Sequence, residues 1–335
     1  MDPPKPFPIL RLPFVSIQEV FKAMDTFEII NFSMVSKRTK GIAKHMTFYS
    51  KYSIQFSIGQ ELEVMVMGPK YMTQCFYLFT TNQEMNGKVV DNNFEGWNEI
   101  LVWKYSDNPI EEWKQLCIYV LEIFKKQTIV LFSIILDTYV EQNVSIIDFL
   151  MTNVKSVEKC HLFHAEERND VDEHAAYVLE NIKITFELLL CLHIKIDDFI
   201  SKIPKDLKKL TILESKSVGY ERLLEIDCKS VVLKDDQITN EQWNSFFKKW
   251  IAMETNQNLE YLELKYRELG TFRDHVLDDI PHEEVDEGVK RVLKTSRNAT
   301  QEINGGIDIR RIDGKTATFF VYRVFSTDRF AMSIH

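Results

Sequence analysis

Glycine is scarce in this chain, 11 of 335 residues. That argues against the glycine-rich loops that cradle phosphates. The five cysteines (Cys75, Cys117, Cys160, Cys191 and Cys228) are an odd, scattered set with no C-x-x-C pair. They predict buried, reduced thiols in a reducing compartment, not a disulfide framework. The sequons at Asn31, Asn143 and Asn298 are then expected to carry no glycan. The longest apolar stretch, residues 129–136 broken by Ser133, falls far short of the ~20 residues that span a bilayer. The opening MDPPKPFPILRLP has prolines where a signal peptide keeps its apolar segment. The expected location is intracellular, cytoplasmic or nuclear, with no membrane partner. Basic excess is also missing. Forty-one Lys and Arg against fifty Asp and Glu give −9, the wrong sign for a nucleic-acid binder. At 45% apolar and 27% charged the chain is ordinary globular protein, and its length suggests two domains or one large repeat domain.

What is present is patterning in four stretches. Residues 7–48 read as three short helices. Ser16 with Glu19 predicts a capping box for a helix over 17–24, whose Ile17, Val20, Phe21 and Met24 share a face. Asp25 with Glu28 predicts a second helix carrying Ile29, Ile30 and Phe32. Ser36 predicts a third, with Thr39, Ile42, Ala43 and Met46 on one side. Residues 49–106 form a β-rich connecting segment. There Tyr52, Ile54, Phe56 and Ile58, then Leu62, Val64 and Val66, repeat with period two. Asn92-Asn93 and Glu95-Gly96 read as loops.

Residues 107–270 alternate strand and helix. Asn108-Pro109 opens a helix with the stripe Trp113, Leu116, Cys117, Val120, Leu121 and Phe124. Six strands then share the spacing apolar-x-x-apolar-x-apolar: Ile129/Phe132/Ile134, Val157/Cys160/Leu162, Leu189/Leu192/Ile194, Leu207/Leu210/Ile212, Cys228/Val231/Leu233 and Leu259/Leu262/Leu264. Steps of 28, 32, 18, 21 and 31 residues separate them. This resembles a degenerate leucine-rich repeat, in which each strand–helix unit buries its apolar face against the next. An ordinary α/β layer is the competing arrangement. Helical stripes fill the gaps, at Ala175, Val178, Leu179 and Ile182, and at Trp243, Phe246, Phe247, Trp250 and Ile251 behind the capping box Thr239–Gln242. Residues 271–335 start acidic, with seven carboxylates against two basic groups over 271–290, and that stretch reads as an exposed loop. Asp313-Gly314 between β-rich flanks predicts a closing hairpin in two or three antiparallel strands. The fold class is thus α+β / α/β: a three-helix unit, a strand–helix repeat-like domain and extra antiparallel strands.

Little in the chain promises catalysis. Gly314-Lys315-Thr316 resembles the end of a phosphate loop, but Ile309 stands where that loop needs glycine, so the hairpin reading holds. Cys160, His161 and His164 are close enough in sequence for zinc. Neighbours 160 and 161 point to opposite faces of a strand, however, and no second ligand pair follows. No metal or other cofactor is expected. The acid pairs Asp197-Asp198, Asp235-Asp236 and Asp278-Asp279 read as caps and solvated loops, and the aromatics at 243–250 as core.

Residues 7–48 resemble an F-box. The likeness is carried by Phe7-Pro8-Ile9-Leu10-Arg11-Leu12-Pro13, the helix over 17–24, the turn at 25–28, and Phe32-Ser33-Met34-Val35-Ser36-Lys37-Arg38. Ser36 takes the place of the motif's late Cys. The run from Ile238 through Gln242-Trp243 to Trp250-Ile251, followed by Asn258-Leu259-Glu260-Tyr261-Leu262, resembles the type 2 F-box-associated domain of a nematode-type family. Asp308-Ile309-Arg310-Arg311 and Asp313-Gly314 with Ala317-Thr318 resemble it too. Trp243 departs from the smaller polar residue that family often has there. The resemblance implies a non-catalytic substrate receptor that binds a Skp adaptor, and through it a cullin, within a ubiquitin ligase. It implies an adaptor face drawn from Leu10, Leu12, Pro13, Val15, Val20, Met24, Ile29, Phe32 and Ser36. An interaction scaffold with a helical cap and no ubiquitin role is the alternative class.

A target would then meet the later part of the chain. The central x of each apolar triplet points away from its apolar neighbours. His161, His193, Thr211, Val232 and Glu263 are therefore expected to face outward as a binding row. Residues 1–50 carry +3, leaving −12 elsewhere, which favours a target with a basic segment. Charge reversal at Glu263, paired with a bulky change at Thr211, is expected to weaken target capture and to spare adaptor binding and thermal unfolding.

Overall fold

The computed structural model describes residues 9–47, 52–69, 73–94, 97–166, 171–195, 199–295, 299–324 and 326–335. Phe7-Pro8, Glu95-Gly96, Asp197-Asp198 and the sequon at Asn298 lie outside them. The chain divides into two compact units, residues 1–134 with 148–157, and residues 135–147 with 158–335.

The first unit begins with three helices, α1 (Phe14–Ala23), α2 (Thr26–Met34) and α3 (Lys37–Met46). Asp25 and Ser36 cap α2 and α3 through reciprocal boxes with Glu28 and Thr39, as their spacing predicts. Ser16 does not cap α1. The helix starts at Phe14 behind Pro13, whose carbonyl accepts from the Ile17 amide at 3.1 Å, so Ser16 falls inside the first turn. A sheet follows, from β1 (Ser53–Ile58), β2 (Leu62–Met67), β3 (Thr73–Thr80), β4 (Val89–Phe94), β5 (Trp97–Tyr105) and β6 (Thr128–Ile135), in the order β6-β1-β2-β3-β5-β4. Asn92 and Asn93 belong to β4, an edge strand paired with β5, not to a loop. Helix α4 (Pro109–Ile123) opens with Pro109 at its first turn and buries Trp113, Leu116, Cys117, Val120 and Leu121. The Trp113 indole donates to the Glu63 carbonyl of β2 at 3.0 Å and meets Phe56 edge-on.

The three helices are tied to this layer. The hydroxyls of Ser33 and Tyr119 are 2.9 Å apart, Lys40 and Lys44 both pair with Glu122 of α4, and the Thr47 hydroxyl donates to the Ile123 carbonyl at 2.6 Å.

In the second unit β7 (Ser156–Phe163), β8 (Ile184–Cys191), β9 (Lys209–Ile212), β10 (Ser230–Leu233) and β11 (Tyr261–Leu264) lie side by side, and β8 to β11 are parallel. Helices α6 (Asp172–Asn181), α7 (Tyr220–Glu225) and α8 (Asn240–Ile251) connect them, after α5 (Asn143–Asn153) earlier in the chain. Leu188 pairs with Leu210 and Leu190 with Ile212. The apolar triplet of β8 therefore ends at Leu188 and Leu190, not at Leu192 and Ile194. Starting it at Thr185 gives steps of 28, 28, 22, 21 and 31 residues between the strands.

The acidic stretch is not a loop. It folds as α9 (Leu269–Val276) and the start of β12 (His282–Lys294), which pairs with β13 (Thr300–Arg310). With β14 (Thr316–Val324) and β15 (Thr327–Ile334) these make four antiparallel strands, and the predicted turn at Asp313-Gly314 joins β13 to β14, with Gly314 at φ +92°. Strand β15 pairs antiparallel with β11. At Gly305, φ +65°, a Cβ would stand 2.8 Å from the Val285 carbonyl oxygen at the bulge of β12.

Each face of this sheet is covered differently. Leu264 and Phe330 share a row, as do Leu262, Met332 and Phe319. Phe247 of α8 meets Phe319 edge-on at 5.0 Å, and Phe272 of α9 makes tilted contacts with Phe319 at 4.8 Å and Phe330 at 4.7 Å. On the opposite face Val232, Tyr261, Phe320, Tyr322 and Ala331 cluster with Leu293 of β12 and Ile303 of β13. Trp243, Phe246, Phe247 and Trp250 are fully buried, as their helical spacing predicts.

Candidate adaptor face and lysine-rich cleft

Helices α1 to α3 are too short to bury all their apolar groups among themselves. Ile17, Phe21, Ile29, Ile30 and Ala43 form the inside. Ile29 has no exposed surface. It was expected on the adaptor face, but a side chain with nothing exposed has nothing to offer a partner, so that expectation is corrected. Leu10, Leu12, Val20, Met24 and Phe32 are half-buried, and Phe32 packs edge-on against Phe21 at 5.4 Å. Pro13, Val15 and Ser36 are exposed, and the Ser36 hydroxyl is engaged in capping α3. Sequence reasoning passed over three further exposed groups: Phe14 at 50%, Met34 at 44% and Val35 at 76%, beside Val15 at 66%. Their signal was available, since Met34 and Val35 follow the last buried position of α2, Ser33.

In the second unit the expected outward row is largely covered. Thr211, Val232 and Glu263 are buried, at 7%, 4% and 1% exposure. They do point away from the apolar face, but strands β12 and β13 lie over that side, so the expectation of an exposed row is corrected. Glu263 accepts from Tyr261 at 2.9 Å, Tyr322 at 3.1 Å and Arg329 at 2.5 Å. Burial, then the neighbouring carboxylate, pushes the Tyr261 phenol up. His161 is half-buried on β7 with its Nε2 unpartnered, and burial lowers its pKa. His193 lies beyond the end of β8, exposed, with Nδ1 3.9 Å from Glu214.

The row that borders a cleft on this face lies two residues earlier. Glu187, Lys209, Ser230 and Tyr261 are neighbours across four parallel strands. With Lys159 of β7 they line a cleft of about 790 Å³ whose rim carries Lys208, Lys229, Glu260, Lys294 and Phe186. Glu187 pairs with Lys209 at 2.7 Å, and Glu260 with Lys229 at 2.5 Å and Lys294 at 3.3 Å. The Lys229 and Lys294 ammonium groups hold the Glu260 carboxyl below its ordinary range. Five lysines against two glutamates make the cleft positive in a chain of net charge −9.

The other residues singled out for chemistry have structural occupations. Cys160 is fully buried, and burial pushes its thiol up. His164 turns instead to Glu214 at 3.3 Å. Among the described residues no group of three or more His, Cys, Asp or Glu is placed to hold a metal ion. Asp236 accepts from the Trp243 indole at 3.3 Å, and Asp279 from Asn244 at 2.8 Å. Asn143 is fully buried, its amide donating to the Leu136 carbonyl. Among the described residues no helix is long and apolar enough to cross a membrane.

Comparison with known proteins finds two family matches in the chain. Residues 9–51 match the F-box domain, and residues 198–264 match a domain described as F-box associated. Both domains are typical of non-catalytic adaptor proteins. The chain is similar to the Skn-1 dependent zygotic transcript 15 protein of Caenorhabditis elegans, 24% identical over 356 aligned positions that cover 93% of each chain. It is also similar to an uncharacterized C. elegans protein, 26% identical over 178 positions, spanning 50% of this chain and 39% of that one. No solved structure matches.

Proposed function

This chain is an F-box protein of the nematode type, its F-box standing ahead of an F-box-associated domain, and from that premise we propose that it is the substrate-recognition subunit of a Skp–cullin–F-box ubiquitin ligase. The F-box helices bind the Skp adaptor, the adaptor joins the cullin, and the later part of the chain recruits a target protein. Ubiquitin transfer belongs to the conjugating enzyme, so this chain's task is to hold two proteins together.

The observation that carries the reading is the group of large apolar side chains left exposed within residues 14–35, inside the segment that matches the F-box. Phe14, Val15, Met34 and Val35 keep hydrated surface that a partner's apolar groove would remove from water, at about 25 cal/mol per Å². The half-buried Leu10, Leu12, Val20 and Met24 add to that surface. The test is co-expression of the full chain with a Skp-type adaptor. Stoichiometric co-purification supports the proposal. A chain that elutes alone, with adaptor in excess, overturns it.

A further inference from the structure

We propose that the lysine-rich cleft on the second unit is the target-docking site, and that it takes a short acidic peptide segment whose carboxylate or phosphate groups meet Lys159 and Lys208. The proposal rests on the substrate-recognition reading and names the chemistry of what is recognised.

The charge within the cleft leads to it. Both glutamates are occupied: Glu187 by Lys209, and Glu260 by Lys229 and Lys294 together. Among the described residues Lys159 and Lys208 have no carboxylate at ion-pair distance, so they keep uncompensated positive charge. A cleft lined by one sign of charge concentrates ligands of the opposite sign and speeds their capture. A second observation is independent of charge. Ser230 is 91% buried by its 9% exposure, lines the same cleft, and its hydroxyl has no hydrogen-bond partner. A buried polar group without a partner is uncommon, and this one sits in the wall of the cleft. The exposed ring of Phe186 gives the peptide one apolar wall.

A peptide suits this lining better than a nucleic acid does. A strand of phosphates needs a continuous basic track and several rings for stacking. Here two carboxylates interrupt the track, and Phe186 and the buried Tyr261 are the lining aromatics. The strand geometry explains the cleft's position. Successive parallel strands put Glu187, Lys209, Ser230 and Tyr261 side by side; Leu293 of β12 and Ile303 of β13 pack against Val232 and Tyr261 at one end of that row, and Lys159, Phe186 and Lys208 line the cleft beside it.

The test uses the full chain with its adaptor and fluorescence anisotropy. The probes are a labelled peptide of glutamate and glycine, the same length of peptide with phosphoserines, and labelled oligouridine. Binding of either peptide, weakened about tenfold or more by Lys159→Glu with Lys208→Glu and unchanged by Lys88→Glu with Lys216→Glu, supports the proposal. Whichever peptide binds tighter identifies carboxylate or phosphate as the preferred anion. Three results overturn it: neither peptide binds, the control pair weakens binding as much as the cleft pair, or oligouridine outcompetes both peptides at the cleft. Adaptor recovery is scored in every sample. Loss of peptide binding with adaptor intact fails the cleft alone. Absence of adaptor with peptide binding intact fails the ligase reading alone.

Discussion

The F-box helices and the parallel strands both leave unsatisfied surface, but of opposite kinds. Residues 14–35 expose aromatic and aliphatic groups, and the cleft along the strand row presents lysine ammonium groups above a buried hydroxyl without a partner. An apolar face gains affinity from area and fits a partner that never changes. A charged cleft gains speed and selectivity, and a few substitutions re-aim it. The contrast matches a division of labour between a constant adaptor and a chosen target.

The largest way to break this contrast is from beneath the cleft. Glu263→Lys removes the acceptor of two tyrosines and sets a second cation beside Arg329 in a buried place, so we expect a loss of about 4 kcal/mol. Chemical denaturation of the full chain checks this, and an unchanged midpoint would refute the burial. Next comes Val15→Asp. Its side chain is 66% exposed, so folding is expected to be nearly unaffected. A carboxylate under a bound partner should weaken adaptor binding by about 2 kcal/mol, roughly thirtyfold, read by calorimetric titration of the adaptor. Asp25→Ala sharpens the contrast more gently. Removing the α2 cap is expected to cost about 1 kcal/mol of stability, read by chemical denaturation, and to leave peptide binding at the cleft unchanged. The smallest effect is on pH dependence. Burial lowers the His161 pKa from its ordinary 6.5, so its neutral form is the one the fold prefers. Its share of stability is complete above that value and is lost as pH falls below it. Unfolding midpoints measured on each side of that value should decline less steeply in His161→Gln than in the parent.

Where a signal was local, the sequence was readable. Asp25, Ser36, Asn108 and Thr239 cap the helices their spacing predicts, and the alternation at 54, 56 and 58 is a half-buried strand. Ser16 misled because Pro13 already supplies a helix start, three residues before the Ser could act. Strands β4 and β12 were missed because neither alternates. Nearly every residue of β12 is exposed, and its pairing is helped by cross-strand contacts such as Lys290 with Glu302 and Arg291 with Asp308. Of the proposed adaptor face, Val15 is exposed and Leu12 half-buried, and both could be named because apolar groups next to helix stripes stand out. The cleft was not visible. The correct face of the strands was named, but which row stays open depends on Leu293 and Ile303, residues that return from far along the chain to cover Val232. The net charge pointed to a basic target, whereas the cleft is locally positive. A sum over the whole chain carries no position.

The pairing of β15 with β11 also sets a timetable. Strand β11 ends at Leu264, and β15 runs from Thr327 to Ile334. The chain makes α9, crosses to β12 and steps back through β13 and β14 before it reaches the place beside β11. At ribosomal speeds of roughly 5–20 residues per second, β11 waits about 3 to 13 s for its neighbour. Through that interval its edge amides and carbonyls are unpaired, open to pairing with another nascent copy. Slower translation after Leu264 would lengthen the wait, and the yield of soluble protein should fall with it.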